Sequence, residues 1–245
     1  MLYCGDFDFD GCLLMMICEI VSKCIGPLKS CQSVSGSSIL NMFFEGEGLD
    51  WREPNYEKLY GWCPERQIHL QHATAKQLLE LDLITKEQWD SYFKFAFVRN
   101  PWDKSYSDYL WIQRDRKIKV SFADYLHGKG QLAKFVNDRT TREYRGDHLT
   151  PQTDFIKYDG NLCVDLVGRF EDYDQTLQTV KDKLGLEETS TIHKNKGKGR
   201  AKHYSLFYTN SRKRLVDQIY QSDIEEFGYQ FEDRRTGLHR IKTWI

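Results

Sequence analysis

Proline is scarce, five in 245 residues, and the seventeen glycines follow no period. That excludes collagen-like and low-complexity chains. Neither sign of charge dominates: 35 Lys and Arg face 36 Asp and Glu, a net charge of -1. A surface coated in positive charge for wholesale nucleic-acid binding is excluded, and no nucleic-acid partner is expected. The longest unbroken apolar stretch is Cys12 to Cys18, which Glu19 ends. A membrane helix needs about twenty apolar residues, so the chain as given holds no membrane span. Asp6, Asp8 and Asp10 precede that stretch, where a secretory signal would carry positive charge. No C-x-x-C pair, no N-x-S/T sequon and no G-x-x-x-x-G-K-[ST] loop occurs. The missing loop disfavours a nucleotide kinase or other NTPase. The cysteine spacing gives no zinc-finger pattern, and no metal is expected.

What is present suits one globular domain with a sizeable core: 40% apolar, 29% charged and 14% aromatic residues. Residues 1–30 are Cys- and Met-rich without a clear period, and read as an atypical leader. Residues 31–235 read as the domain and 236–245 as a tail. Short β-like runs alternate with helical patterns. Arg66 to Gln71 reads as a short strand, and Thr74 caps a helix carrying Leu78, Leu79, Leu81 and Leu83. Phe93 to Val98 is the clearest strand. It breaks at Arg99-Asn-Pro-Trp-Asp103, and Pro101 suits the first turn of the next helix. Ser121 caps a short helix. Leu162 to Val167 reads as another buried strand, Asp174 opens a helix closed by Gly185, and Ser211 to Phe227 reads as one amphipathic helix closed by Gly228. Such alternation implies an α/β fold with a mostly parallel sheet and helices on both faces. Ligands in such sheets sit beyond the carboxyl ends of the strands. Two loops are therefore the places to look: Ser33 to Ser38 and Arg99 to Ser107.

Arg99 ends a buried strand beside the N–H groups of the following helix, and Ser107 lies eight residues on. Together they offer a forked cation and a hydroxyl to a phosphate-like dianion. Equally, Arg99 can pair with Asp103 or Asp108 for structure. Resemblance decides between the two. Phe95, Phe97, Val98, Arg99, Asn100, Pro101, Trp102, Asp103, Lys104, Ser107 and Tyr109 resemble the 3′-phosphate-binding motif of the membrane-associated carbohydrate sulfotransferases, sulfotransferase family 2. The resemblance continues through His148-Leu-Thr-Pro-Gln152, Val167-Gly-Arg-Phe-Glu171 and the segment Tyr208 to Phe231, and covers roughly residues 31–231.

That resemblance implies a P-loop-NTPase-like three-layer fold. It also implies transfer of a sulfuryl group from 3′-phosphoadenylyl sulfate (PAPS) to a carbohydrate hydroxyl, with adenosine 3′,5′-bisphosphate (PAP) as product. Arg99 and Ser107 would hold the 3′-phosphate. Ser35, Gly36, Ser37 and Ser38 would wrap the other phosphate. Ser33 stands where the family carries a lysine, so a homologue that binds the nucleotide without efficient transfer is the alternative. Lys29 lies four residues away. The family's usual place is the Golgi, behind an N-terminal anchor. An attacking hydroxyl needs a base, and His is the natural one near neutral pH. His72, just after a strand and before a helix, is the base candidate, with His69 second. His148 is assigned to acceptor binding. His127, His193, His203 and His239 read as exposed. Lys194 to Lys202 reads either as a cover over the nucleotide or as a solvated loop. Arg169 matches the family's pattern but can equally serve as a mere structural partner of Glu171 or Asp172, and is not read as catalytic.

Overall fold

The computed structural model describes residues 13–17, as backbone, together with 50–185 and 203–237. The first phosphate loop (Ser33, Ser35, Gly36, Ser37, Ser38), Lys29, the basic loop 194–202, His193 and His239 lie outside the described residues.

In chain order the strands are β1 (Leu13–Ile17), β2 (Trp62–Cys63), β3 (Ile68–His69), β4 (Phe93–Val98), β5 (Lys157–Tyr158), β6 (Asn161–Leu162) and β7 (Leu166–Arg169). The helices are α1 (Ala75–Glu80), α2 (Lys86–Ser91), α3 (Pro101–Arg116), α4 (Phe122–Leu126), α5 (Ala133–Val136), α6 (Gln152–Ile156), α7 (Tyr173–Leu184), α8 (Asn210–Ile219) and α9 (Gln221–Phe227). Strand β4 is central. It pairs parallel with β7, Phe95 opposite Leu166 and Val98 opposite Arg169, and antiparallel with β1. The described sheet is thus mixed rather than mostly parallel, and a segment read as a periodless leader supplies one strand. A short apolar run is what a strand beside a buried neighbour requires.

From Lys94 onward β4 is buried on both faces, which is why it reads as a nearly continuous apolar run. Ala96 and Val98 face the main core, with Trp102, Trp111, Ile112, Phe122, Tyr125, Val216 and Tyr220. On the opposite face Phe97 meets Tyr173, the first residue of α7, with ring centroids 5.0 Å apart. There α7 lies so close to β7 that a Cβ built on Gly168 would fall 1.9 Å from Thr176 Cγ2. Only glycine fits. A smaller cluster of Cys63, Ile68, Leu70, Ala75, Leu78 and Trp89 closes the other end.

Local signals held where they were strong. Thr74 and Ser121 cap α1 and α4, and Gly185 and Gly228 adopt the left-handed conformation after α7 and α9. Three readings need correction. The Leu78–Leu83 stretch is not one helix: Asp82 has φ +49°, and a second capping box on Thr85 starts α2. The Leu162–Val167 strand splits. Asp165 accepts the Lys94 N–H and donates its own to Lys94 O, both at 2.7 Å, so the ladder with β4 begins only at Leu166. The Ser211–Phe227 helix breaks at Tyr220, which is buried with its hydroxyl 3.2 Å from Leu149 O.

Candidate active site

Helix α3 organises the site. Asn100 caps it, its Oδ1 accepting the N–H groups of Trp102 and Asp103, and Pro101 occupies the first turn. The turn before it is pinned on three sides. Gln152 accepts the Arg99 N–H at 2.7 Å and donates to Arg99 O at 2.8 Å. Asn100 N donates to Glu171 at 2.8 Å. The Tyr229 hydroxyl donates to Val98 O at 3.1 Å. Gln152 is itself fixed, because its N–H and that of Thr153 each donate to the buried Asp223 carboxylate at 2.8 Å. Buried backbone groups need such partners, and here they are found up to 131 positions away.

Arg99 is buried, with its guanidinium over the Phe170 ring at 4.8 Å. Its Nε and Nη2 both reach Asp103 Oδ2 at 2.8 Å. The structural pairing with Asp103 is therefore present, and Asp108 is not its partner. The expected contribution of open helix N–H groups is corrected too: the Asn100 side chain and Glu171 occupy them. Ser107 is 8% exposed, and its hydroxyl has no hydrogen-bond partner among the described residues. Asp103, Ser107 and Trp111 follow at i, i+4 and i+8, so they descend one flank of α3. The flank thus carries a fixed guanidinium, a hydroxyl about one turn further on, and an indole another turn on.

That indole carries the second half of the site. The His148 ring stacks on Trp111 at 4.5 Å and 19°. The His72 ring lies 5.5 Å from His148, and His69 lies 6.0 Å from His72. The backbone of His148 is anchored from α3 as well. Lys104 Nζ donates to His148 O at 2.8 Å and pairs with Asp108 at 2.9 Å, both side chains fully buried. Burial alone would lower the Lys104 ammonium, but the Asp108 carboxylate more than reverses that and holds it protonated.

Sequence reasoning missed Asp147. Its Oδ2 is in close contact with His72 Nδ1. Burial would raise the Asp147 carboxyl, yet His72 and then His148 hold it well below the usual carboxylate range. The Asp147 carboxylate accepts the Nδ1–H of His72, which fixes the ring and turns Nε2 away from the pair. Burial pushes His148 down to about 4, against the pull of Asp147. Burial, and then the neighbouring His72, push His69 down to about 3. His69 is packed on Trp62 at 4.9 Å, with Nε2 engaged by Arg142 O at 3.0 Å and Arg145 Nη1 at 3.2 Å. It is a structural histidine. His72 is half-buried, and its Nε2 has no partner among the described residues; the unpartnered Nδ1 atoms of His69 and His148 are buried instead.

Two lesser readings change. Arg169 does not pair with Glu171 or Asp172; it donates to Phe227 O and lies over the Tyr229 ring at 4.8 Å. His203 is half-buried between Ser205 Oγ at 2.9 Å and Glu232 at 3.3 Å, whereas His127 is exposed as expected. The described residues bring His72, Asp147 and His148 together as potential metal ligands, a grouping invisible in their spacing. No described helix is long and apolar enough to cross a membrane.

Comparison with known proteins places residues 39–230 in the sulfotransferase family. An uncharacterized protein of Archaeoglobus fulgidus is 26% identical over 113 residues, 46% of this chain and 83% of its own length. No solved structure matches significantly.

Proposed function

The chain belongs to the sulfotransferase family, and from that premise we propose that it moves a sulfuryl group from PAPS to a carbohydrate hydroxyl on the family's P-loop-like three-layer fold. When bound, PAPS supplies an activated sulfuryl group on a stable leaving anion. The observation that carries the reading is the single helical flank joining Arg99 and Ser107 to the histidine cluster on Trp111.

The residues fit the donor's 3′-phosphate in one respect and not in another. A guanidinium pre-oriented by Asp103 and a hydroxyl one turn along suit a dianion, while the helix N-terminal amides are already capped. Ser35, Gly36, Ser37 and Ser38 are assigned to the second phosphate on the resemblance alone. His72 takes the acceptor's proton at Nε2, and Asp147 holds the ring in the tautomer that makes this possible. His148, buried against Trp111, forms the wall on the acceptor side.

The second reading, nucleotide binding without efficient transfer, is favoured by one feature: Ser33 replaces the family's lysine. Lys104 does not substitute for that lysine, because Asp108 and His148 O consume it. The test is a radiolabelled sulfate-transfer screen over glycan acceptors, with calorimetry of PAP binding alongside. Arg99→Ala is expected to abolish PAP binding. His72→Ala is expected to cut transfer while leaving PAP binding intact. Unchanged PAP affinity in Arg99→Ala refutes the nucleotide assignment, and unchanged transfer in His72→Ala removes the base.

A further inference from the structure

Accepting a proton needs one imidazole and one carboxylate to orient it. The fold supplies a second imidazole at the same point. The ligating atoms of His72, Asp147 and His148 all lie within 4.8 Å of one another. A tetrahedral zinc ion with nitrogen and oxygen ligands at about 2.0–2.2 Å holds those atoms about 3.3–3.6 Å apart. Closing on such an ion asks for side-chain shifts of roughly an ångström.

A second observation points the same way. His148 is 5% exposed, and its Nδ1 is buried with no hydrogen-bond partner. Buried ring nitrogens are rarely left so, and each instance asks for an explanation. The ring is also fixed, by its stack on Trp111 and by the tie from Lys104 to its backbone carbonyl. Fixed ligand orientation is what a metal site needs from its surroundings. The neighbouring cation, Arg145, is engaged elsewhere: Nη1 donates to the carbonyls of Arg142 and Tyr144, and Nε lies 3.6 Å from Asp115. Two imidazoles and a carboxylate suit zinc-class ions rather than Mg²⁺ or Ca²⁺, which prefer oxygen ligands throughout.

We propose that His72, Asp147 and His148 form a binding site for a zinc-class divalent cation, and that the cation competes with proton acceptance by His72. The competitive half rests on the reading of His72 as the base. A lone pair given to a metal is not available to a proton, and a carboxylate drawn onto the ion no longer orients the ring.

The test titrates ZnCl₂ into the chelator-stripped full chain by calorimetry. It compares wild type with Asp147→Asn, with His148→Phe, which keeps the stack on Trp111, and with His127→Gln as a surface-histidine control. Melting curves confirm that each variant is folded. The expected result is one zinc per chain, bound at least tenfold more weakly in Asp147→Asn and His148→Phe and unchanged in His127→Gln. With Co²⁺ as probe, the bound ion should lack thiolate charge-transfer absorption, which separates this site from the seven cysteines. Equal affinity in all four proteins, or a thiolate spectrum, overturns the site while leaving the transfer reading untouched. Transfer should fall as zinc fills the site and recover with chelator. An unchanged rate at full occupancy overturns the competition, and with it the assignment of His72 as base, but not the binding site.

Discussion

Asp147→Asn is the most informative single change. The substitution keeps the side-chain volume and one acceptor oxygen but removes the charge facing His72 Nδ1. The amide group can also turn its NH₂ toward the ring, and a ring nitrogen that accepts this bond puts its proton on Nε2, where the substrate proton should go. A hydrogen bond to a charged group contributes roughly 1.5–3 kcal/mol. If that contribution acts wholly on the transition state, kcat falls about 10- to 150-fold. Arg99, proposed to hold the nucleotide, is anchored separately, it and its turn tied to Asp103, Gln152 and Glu171, so PAP affinity should stay within about twofold. The assay is sulfate transfer under saturating donor, paired with calorimetry of PAP. Asp147→Glu, which restores the charge on a longer arm, should recover part of the rate. An Asp147→Asn enzyme with wild-type kcat, or one losing PAP affinity in proportion to its rate, would refute the dyad.

Three further outcomes follow from the same geometry. His69 and His148 titrate at about 3 and about 4 in the folded chain, against 6.5 for a free histidine. Below pH 6.5 the unfolded chain therefore binds protons that the folded chain refuses, and stability falls with pH by up to about 1.4 kcal/mol per pH unit for each histidine. The melting temperature should drop between pH 7 and pH 5, and less steeply in His148→Phe; parallel curves would contradict this. Asp108→Asn leaves the buried Lys104 ammonium without its counter-charge and should cost about 3–5 kcal/mol in denaturant unfolding, where a loss below about 1 kcal/mol would show the pair to be dispensable. Ser33→Lys should raise transfer by a hundredfold or so if the first loop is otherwise sound, and no gain would mean that the loop is not built as the family builds it.

The parts of the fold that the sequence made legible are those decided by neighbours. Asn100-Pro101 starts a helix because the cap and the missing N–H act within one turn, and Gly185 and Gly228 end helices because only the backbone at that residue must turn left-handed. Tyr220 interrupts its helix for a reason that lies elsewhere. Tyr220 answers to Leu149 O, 71 positions away. Asp147 was hidden for the same reason. It stands 75 positions from His72, and nothing in a Gly-Asp-His triplet marks it as a histidine's partner. Gln152 was visible only as a letter in the His148–Gln152 segment; that it clamps the backbone of Arg99 required the structure.

These long-range ties show how one helix could serve both halves of the proposed site. Arg99 is fixed at the start of α3 by Asp103 and Gln152, and His148 is fixed further along the helix by Trp111 and Lys104. From Asp103 to Trp111 the helix rises about 12 Å, which sets the spacing between the anchor of Arg99 and the indole on which His148 stacks. A flexible loop carrying either half would let that spacing drift, and in-line transfer loses rate steeply with misplacement on the scale of an ångström. The buried Lys104–Asp108 pair is costly to desolvate, and a hydrophobic pair would pack there with less penalty. It lacks only the donor that holds the His148 carbonyl. What the ion pair supplies is therefore a tie between α3 and the His148 backbone.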